Sequence, residues 1–369
     1  MKAERALIGL MVLALLIAGV SPLHGQPEVR APRPWQVFLV RDLGAPERGR
    51  LVFVDLLTGD ETITPVAGSR FTLTPDAVLF YDHDTDRVRL ATADGSVRDH
   101  PFIQPQADTR RIDWIIAPDR DRIAWTMTSG SSTALTTITS VAGIDGRGRS
   151  VALTDGPRDG IRAFPVAFSG DLRTLYLDYQ PDTIGDITPF RQYAGLFAVD
   201  VVTGATEALP EEPGCFCGAG INGDLFLRLT LAASRSGFDL IVYNLDGGGP
   251  GSGVGQTVPG LSLPEYTQGG DLLISPDGRR ALYALARVRN FGTPNQTIQT
   301  IFVLVDLVNL AQTVLIEPIN TFVRPVAWTE DNSAVLFTSP NRNGTWKLNI
   351  DENALRIVAE GGYLGTLMS

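Results

Sequence analysis

The stretch LLISPDGRRALY, residues 272–283, sets an apolar run before a Ser-Pro-Asp-Gly turn and a second apolar run after two arginines. Pro, Asp and Gly between alternating apolar residues are the chemistry of a tight turn joining two antiparallel strands. One copy marks a hairpin. Several copies at a steady spacing mark an array of small sheets, so the rest of the chain decides between the two.

Copies are present. FTLTPDAVLFY carries Asp76, WIIAPDRDRIAW Asp119, VAFSGDLRTLYL Asp171 and VAWTEDNSAVLF Asp331, beside Asp277 of the first stretch. In each, the residues three and five before the aspartate are apolar, which is strand alternation with one buried face. The aspartates are separated by 43, 52, 106 and 54 residues, and the gap of 106 predicts a further copy at its midpoint, near residue 224. INGDLFLRL stands there, with Ile221 and Asp224 in register. A second signature follows, clearest in LVFVDLLTG (51–59) and LFAVDVVTG (196–204), and then one more short strand such as ETITPV (61–66) or QTVLIEP (312–318). Four short strands per unit, repeated at this period, are the pattern of a β-propeller blade. The count is seven, with the first unit lacking an inner strand. Its other strands are WQVFLVRD (35–42), LVFVDLLTG and ETITPV, and the tail GYLGTLMS (362–369) is expected to supply the innermost one, closing the ring.

ISPDGRRALYAL (274–285) and TPDAVLFYD (74–82), with strands of the VDLLTG type, resemble the WD40-like repeats of TolB-type β-propellers. The resemblance covers residues 35–369 and implies an all-β, single seven-bladed β-propeller of four-stranded antiparallel blades. It departs from TolB in leaving no room before Trp35 for the α/β domain that precedes that propeller, and no hydrolase domain follows as in propeller-bearing peptidases. Fold is implied more firmly than role.

The 369 residues carry a formal net charge of −10, which disfavours phosphate backbones and anionic membrane surfaces as partners. Lys2 and Arg5 precede an uncharged run from Ala6 to Val20, the pattern of a secretory signal and short for a membrane span. Residues 1–25 therefore read as a signal peptide or N-terminal membrane anchor, 26–34 as a linker and 35–369 as the propeller. The cleavage point stays open between Ser21, which Pro22 follows, and Gly25. Either way the propeller is expected outside the cytoplasm: secreted, periplasmic or at the cell surface.

Propeller topology places the first-to-second strand turns on one face and the second-to-third loops and blade connections on the other. Long insertions fall on the second face, at 180–195 and 286–300 and in connections such as SLPEYTQGGD (262–271). Long loops on one rim of a rigid scaffold are where binding concentrates, so Arg191, Tyr193, Tyr266, Arg289 and Phe291 are the candidate contacts. The bland alternative for each is a solvated loop residue. YDHDTDR (81–87) spaces Asp82, Asp84 and Asp86 in a way that suits Ca²⁺, yet it lacks the Gly and distant Glu of an EF-hand. A plain acidic turn is the stronger reading, so no metal is assigned and no cofactor is expected beyond that Ca²⁺ alternative. Cys215 and Cys217 are the only cysteines, and for them a strained disulfide, two buried thiols and a metal or redox role all stay open.

Beyond His24 the only histidines are His83 and His100, and no G-x-S-x-G elbow is present, so no catalytic residue is assigned. The expectation is a monomeric binding module for an envelope or extracellular protein or peptide. The rival is a hydrolase or lyase acting on a small molecule or carbohydrate through acidic residues.

Overall fold

The repeated turn works through a hydroxyl two residues ahead of its aspartate. In the computed structural model, Ser275 Oγ donates to Asp277 (2.6 Å) and accepts from the Arg280 amide (2.9 Å), while Asp277 accepts from the Arg279 amide (3.1 Å). Ser169 and Asp171 repeat this, as do Thr329 and Asp331. The residue after the aspartate turns left-handed, at φ +62° for Arg120, +60° for Leu172, +69° for Gly278 and +57° for Asn332. Gly278 is the residue such a turn accepts without steric cost. The Thr329 hydroxyl and the donors of Ser333 hold Asp331 down to about 2. The motif is thus a self-contained turn, satisfied from within.

The structure describes residues 32–182, 190–193, 195–210, 218–245, 255–315, 319–320, 322–339 and 342–368. The N-terminal apolar run and Cys215 and Cys217 lie outside them. Among the described residues there is no α-helix, and 27 strands form one seven-stranded sheet and five four-stranded sheets. The seven-stranded sheet is two blades joined by one long strand, Glu61–Leu73. Its first half pairs with Ala45–Asp55 as the outer strand of blade one, and its second half pairs with Ala77–Asp82 as the inner strand of blade two. That gives seven blades.

The tail strand Gly362–Met368 pairs antiparallel with Pro34–Asp42, from Leu39↔Gly362 to Pro34↔Met368, as the innermost strand of blade one. The ring therefore closes with both ends of the chain in one blade. Six apolar clusters fill the space between successive blades, from the one–two pair to the six–seven pair. The seam between blades seven and one carries polar links instead. Asn343 exchanges two bonds with the Arg41 backbone (2.9 and 2.7 Å), and Thr345 Oγ1 donates to the Gly361 carbonyl (2.6 Å).

One histidine is built into this frame. His100 Nδ1 accepts from the Ile103 amide (3.0 Å), and its ring stands edge-on to Phe102 at 4.5 Å. Burial, with the Arg98 charge second, holds the imidazole down to about 4. A group whose folded pKa lies below its unfolded value of about 6.5 adds stability above that value and loses it as pH falls through the window toward 4. Thermal melts across pH 4–7 should show that loss as roughly 2 kcal/mol. His100→Asn keeps an acceptor and should flatten the slope.

Candidate functional site in the central tunnel

The seven inner strands surround a tunnel, and a loop folds into it. Phe190 to Tyr193 come from the long second-to-third insertion of blade four, yet Phe190 is 1% exposed among apolar side chains of blades six and seven, its ring 5.4 Å from Phe322. The loop crosses the inner strand of blade six, Gln268–Ile274, at a glycine. A Cβ on Gly270 would fall 2.6 Å from Phe190 Cβ and 2.9 Å from the Arg191 carbonyl oxygen. A Cβ on Gly218 would fall 2.5 Å from Gly270 Cα, so blade five also needs a bare backbone here. The Arg191 amide donates to Asp271 Oδ1 at 3.1 Å, which holds the loop against the tunnel wall.

Charged side chains line this wall. Asp113, fully buried on the inner strand of blade three (Thr109–Ile116), receives Arg70 from blade two and Arg162 from blade four. Arg162, its side chain 4% exposed, reaches Asp182 through Nε at 3.7 Å, and Arg110 closes on Asp182 at 2.9 Å. Burial disfavours the Arg162 charge and Asp113 supports it. On the opposite side Arg324 Nε meets Asp271 at 2.8 Å. Tyr193 is buried beside them; burial pushes its phenol up, the Arg191 guanidinium pulls it down, and Asp178 and Asp271 push it up. Among the described residues this wall holds five guanidiniums (70, 110, 162, 191, 324) against four carboxylates (113, 178, 182, 271). In a chain of net charge −10, arginines are gathered on this wall among the described residues.

Three of these residues share one register. Arg70, Asp113 and Asp271 each stand six positions before the turn aspartate of their own blade. The inner strands of blades two and six bulge there, between Ser69 and Thr72 and between Gly270 and Leu273, and Arg70 (φ +61°) and Asp271 (φ +50°) occupy the left-handed region. An extra residue in a strand re-aims the side chain it carries. The sequence carries this signal as a charge at a fixed offset from the turn aspartate, one position outside the apolar pair three and five before it.

Two cavities flank Arg191. One of about 460 Å³ is walled by Phe71, Trp114, Phe164 and Ile221, with Arg70 and Arg191 as its charged residues; it extends to Pro118, Asn222 and Gly223 at the first-turn face. Arg191 lies over the Phe164 ring at 5.2 Å. The other, of about 270 Å³, lies among Arg191, Tyr193, Asp271 and Arg324.

The five candidate contacts therefore separate. Arg191 and Tyr193 meet in the tunnel. Arg289 lines a groove of about 560 Å³ on the long-loop rim with Arg287, Gln296, Gln299 and Asn320. Phe291, on the same blade-six loop, is 64% exposed. Tyr266 packs, half-buried, on the core between blades five and six. Much of 286–300, read as a loop, is paired strand: Arg280–Arg289 and Thr297–Asp306 form a long hairpin, and only seven residues turn between them. The acidic turn of blade two disperses its carboxylates, with Asp82 on Arg89 (3.0 Å), Asp84 near Arg48 (3.9 Å) and Asp86 on the Tyr81 hydroxyl. Among the described residues no three His, Cys, Asp or Glu side chains group closely enough to hold a metal ion. Among them, too, no helix is long and apolar enough to cross a membrane.

No protein-family model and no curated protein matches the chain. Solved structures do. An oligogalacturonate lyase in complex with manganese aligns with a TM-score of 0.54 at 13% identity, over 79% of this chain and 80% of that one. A prolyl endopeptidase aligns at 0.58 and 11% identity over 85% of this chain, which spans only 46% of that longer protein. TolB from Acinetobacter baumannii aligns at 0.39 and 17% identity, over 79% of this chain and 65% of that one. The fold is a β-propeller. At these identities the likeness is one of architecture, and the repeat turns are those that resembled TolB-like and WD40-like propellers in sequence. On the tunnel wall, guanidiniums already recognise the chain's own carboxylates by charge-assisted hydrogen bonds, as Arg162 does Asp113 and Arg324 does Asp271.

Proposed function

We propose that the chain is an extracytoplasmic binding module, a monomeric propeller that takes an acidic segment of a protein or peptide partner at its long-loop rim. The observation that carries this reading is the rim groove of about 560 Å³, where Arg287 and Arg289 stand among amide side chains. Phe291 beside it, 64% exposed, offers an aromatic anchor of the kind that dominates binding energy at interfaces. Arg287 ties the groove to Glu265 of the neighbouring connection, so the surface is pre-ordered. The apolar run from Ala6 to Val20 supports an address outside the cytoplasm.

The test is recovery of the tagged propeller from its native cell envelope, identification of the bound protein, and titration with an acidic peptide from it. The paired change Arg289→Ala and Phe291→Ala should weaken that titration at least tenfold with an unchanged melting temperature, because both side chains are exposed. Equal affinity of the variant would refute the rim as the site. Turnover of an acidic carbohydrate by the purified chain with added manganese, the chemistry named for the lyase of similar fold, would favour the enzymatic rival.

A further inference from the structure

A second feature of the tunnel is independent of the rim. The cavity of about 460 Å³ has the size of a small-molecule site, its wall shared about equally between polar and apolar surface, with Phe71, Trp114 and Phe164 facing the same space as Arg70 and Arg191. Trp114 is fixed in that wall by its indole N–H on Thr72 Oγ1 (3.1 Å), and Phe71 stacks on Phe80 at 5.5 Å, so the aromatic surface is pre-set. The charged groups come from two assemblies, each anchored elsewhere. Arg70 is one half-buried terminus of the chain through Asp113 and Arg162 to Asp182 and Arg110, three guanidiniums against two carboxylates. Arg191 is brought in by the crossing loop, with its backbone on Asp271. Near the first-turn mouth, Arg120 donates to the Thr366 carbonyl (2.5 Å), adding positive charge there. Arg70 keeps a left-handed backbone at φ +61°, a conformation that costs an ordinary residue stability and that gathers at ligand sites.

We propose that this cavity is a binding site for a small aromatic carboxylate, entered from the first-turn face, its carboxylate between Arg70 and Arg191 and its ring against Phe71, Trp114 and Phe164. A carboxylate there meets the two guanidiniums that line the cavity, and the aromatic wall accepts a flat apolar body. A neutral molecule of the same shape gains only the second of these.

The probe is 2-naphthoate, titrated by calorimetry into the full chain, against 2-naphthalenemethanol as the neutral counterpart. The expected result is saturable one-to-one binding of the acid, at least tenfold tighter than the alcohol and weakened by added salt. Arg191→Met should cost tenfold or more in affinity for the acid and little for the alcohol. Ile221→Trp, which fills the cavity from blade five, should abolish both. Arg70→Met should behave like Arg191→Met; if it unfolds by exposing the Asp113 pair, the other two variants still decide. No binding of the acid at millimolar concentration, equal affinity for acid and alcohol, or unaltered binding in Arg191→Met and Ile221→Trp would each overturn the proposal. The rim variant Arg289→Ala with Phe291→Ala should bind 2-naphthoate like the unaltered chain, so failure of either site leaves the other standing.

Discussion

Asp113→Ala is expected to destabilise the propeller by about 3–5 kcal/mol, because it strands two guanidiniums in the tunnel wall with their shared counter-charge gone. Asp113 is fully buried and receives both Arg70 and Arg162, and Arg162 has almost no solvent to fall back on. For a domain of this size that loss lowers the melting temperature by about 4–7 °C, readable by calorimetry. The pair is not expected to be a net source of stability, since desolvating charges offsets most of their attraction. Asp113→Leu combined with Arg162→Met should therefore recover most of the loss, leaving Arg110 still on Asp182. A double variant no more stable than Asp113→Ala would mean that the ionic chain itself holds blades two to four together.

Ending the chain at Gly361 is expected to cost more than about 5 kcal/mol, a large share of a domain's net stability. The deletion removes the innermost strand of blade one, with Leu367 wholly buried, and exposes the edge of Pro34–Asp42 as an unpaired template. No apolar cluster bridges blades seven and one among the described residues, so the polar links at Arg41, Asn343 and Thr345 would have to hold the ring unaided. The truncated chain should aggregate on expression, and a peptide of residues 362–368 supplied in trans should restore soluble protein by adding back the strand. A truncated chain with an unchanged melting temperature would show that closure does not depend on this strand.

The blades were legible because each carries its own instructions. The hydroxyl–aspartate turn is satisfied within a handful of residues, as at Ser275 to Arg280, so its sequence pattern survives in every setting where the turn is kept. Closure by the tail was legible for a related reason: blade one lacked one apolar strand and the tail offered one. Arg191 was found as a residue of a long loop, but not the path of that loop. Its course into the tunnel depends on Gly218 and Gly270, in the blades after it and many residues along the chain, and on a pocket for Phe190 between blades six and seven. No local pattern encodes that. Arg70, Asp113 and Asp271 stood in plain view at one offset from the turn aspartates, yet a charge in an alternating strand reads as the solvent side until the ring is closed around it.

The face of the SPDG turns shows the same division. Those turns are structural, as their internal hydrogen bonds require, and the long insertions stand on the rim opposite them. The larger tunnel cavity nevertheless reaches Pro118, Asn222 and Gly223, residues of the turns themselves. Sequence alone determined the repeat, the blade count, the closing strand and the acidic surface, because these follow from local turn chemistry, strand alternation and summed charge. Only the tertiary structure decided that Arg70, Arg162 and Arg324 meet carboxylates from neighbouring blades on the tunnel wall, and that Phe190 to Tyr193 of a blade-four loop reach it. That arrangement rests on contacts between blades, where residues far apart in the chain exclude water together and so set which charges must be paired.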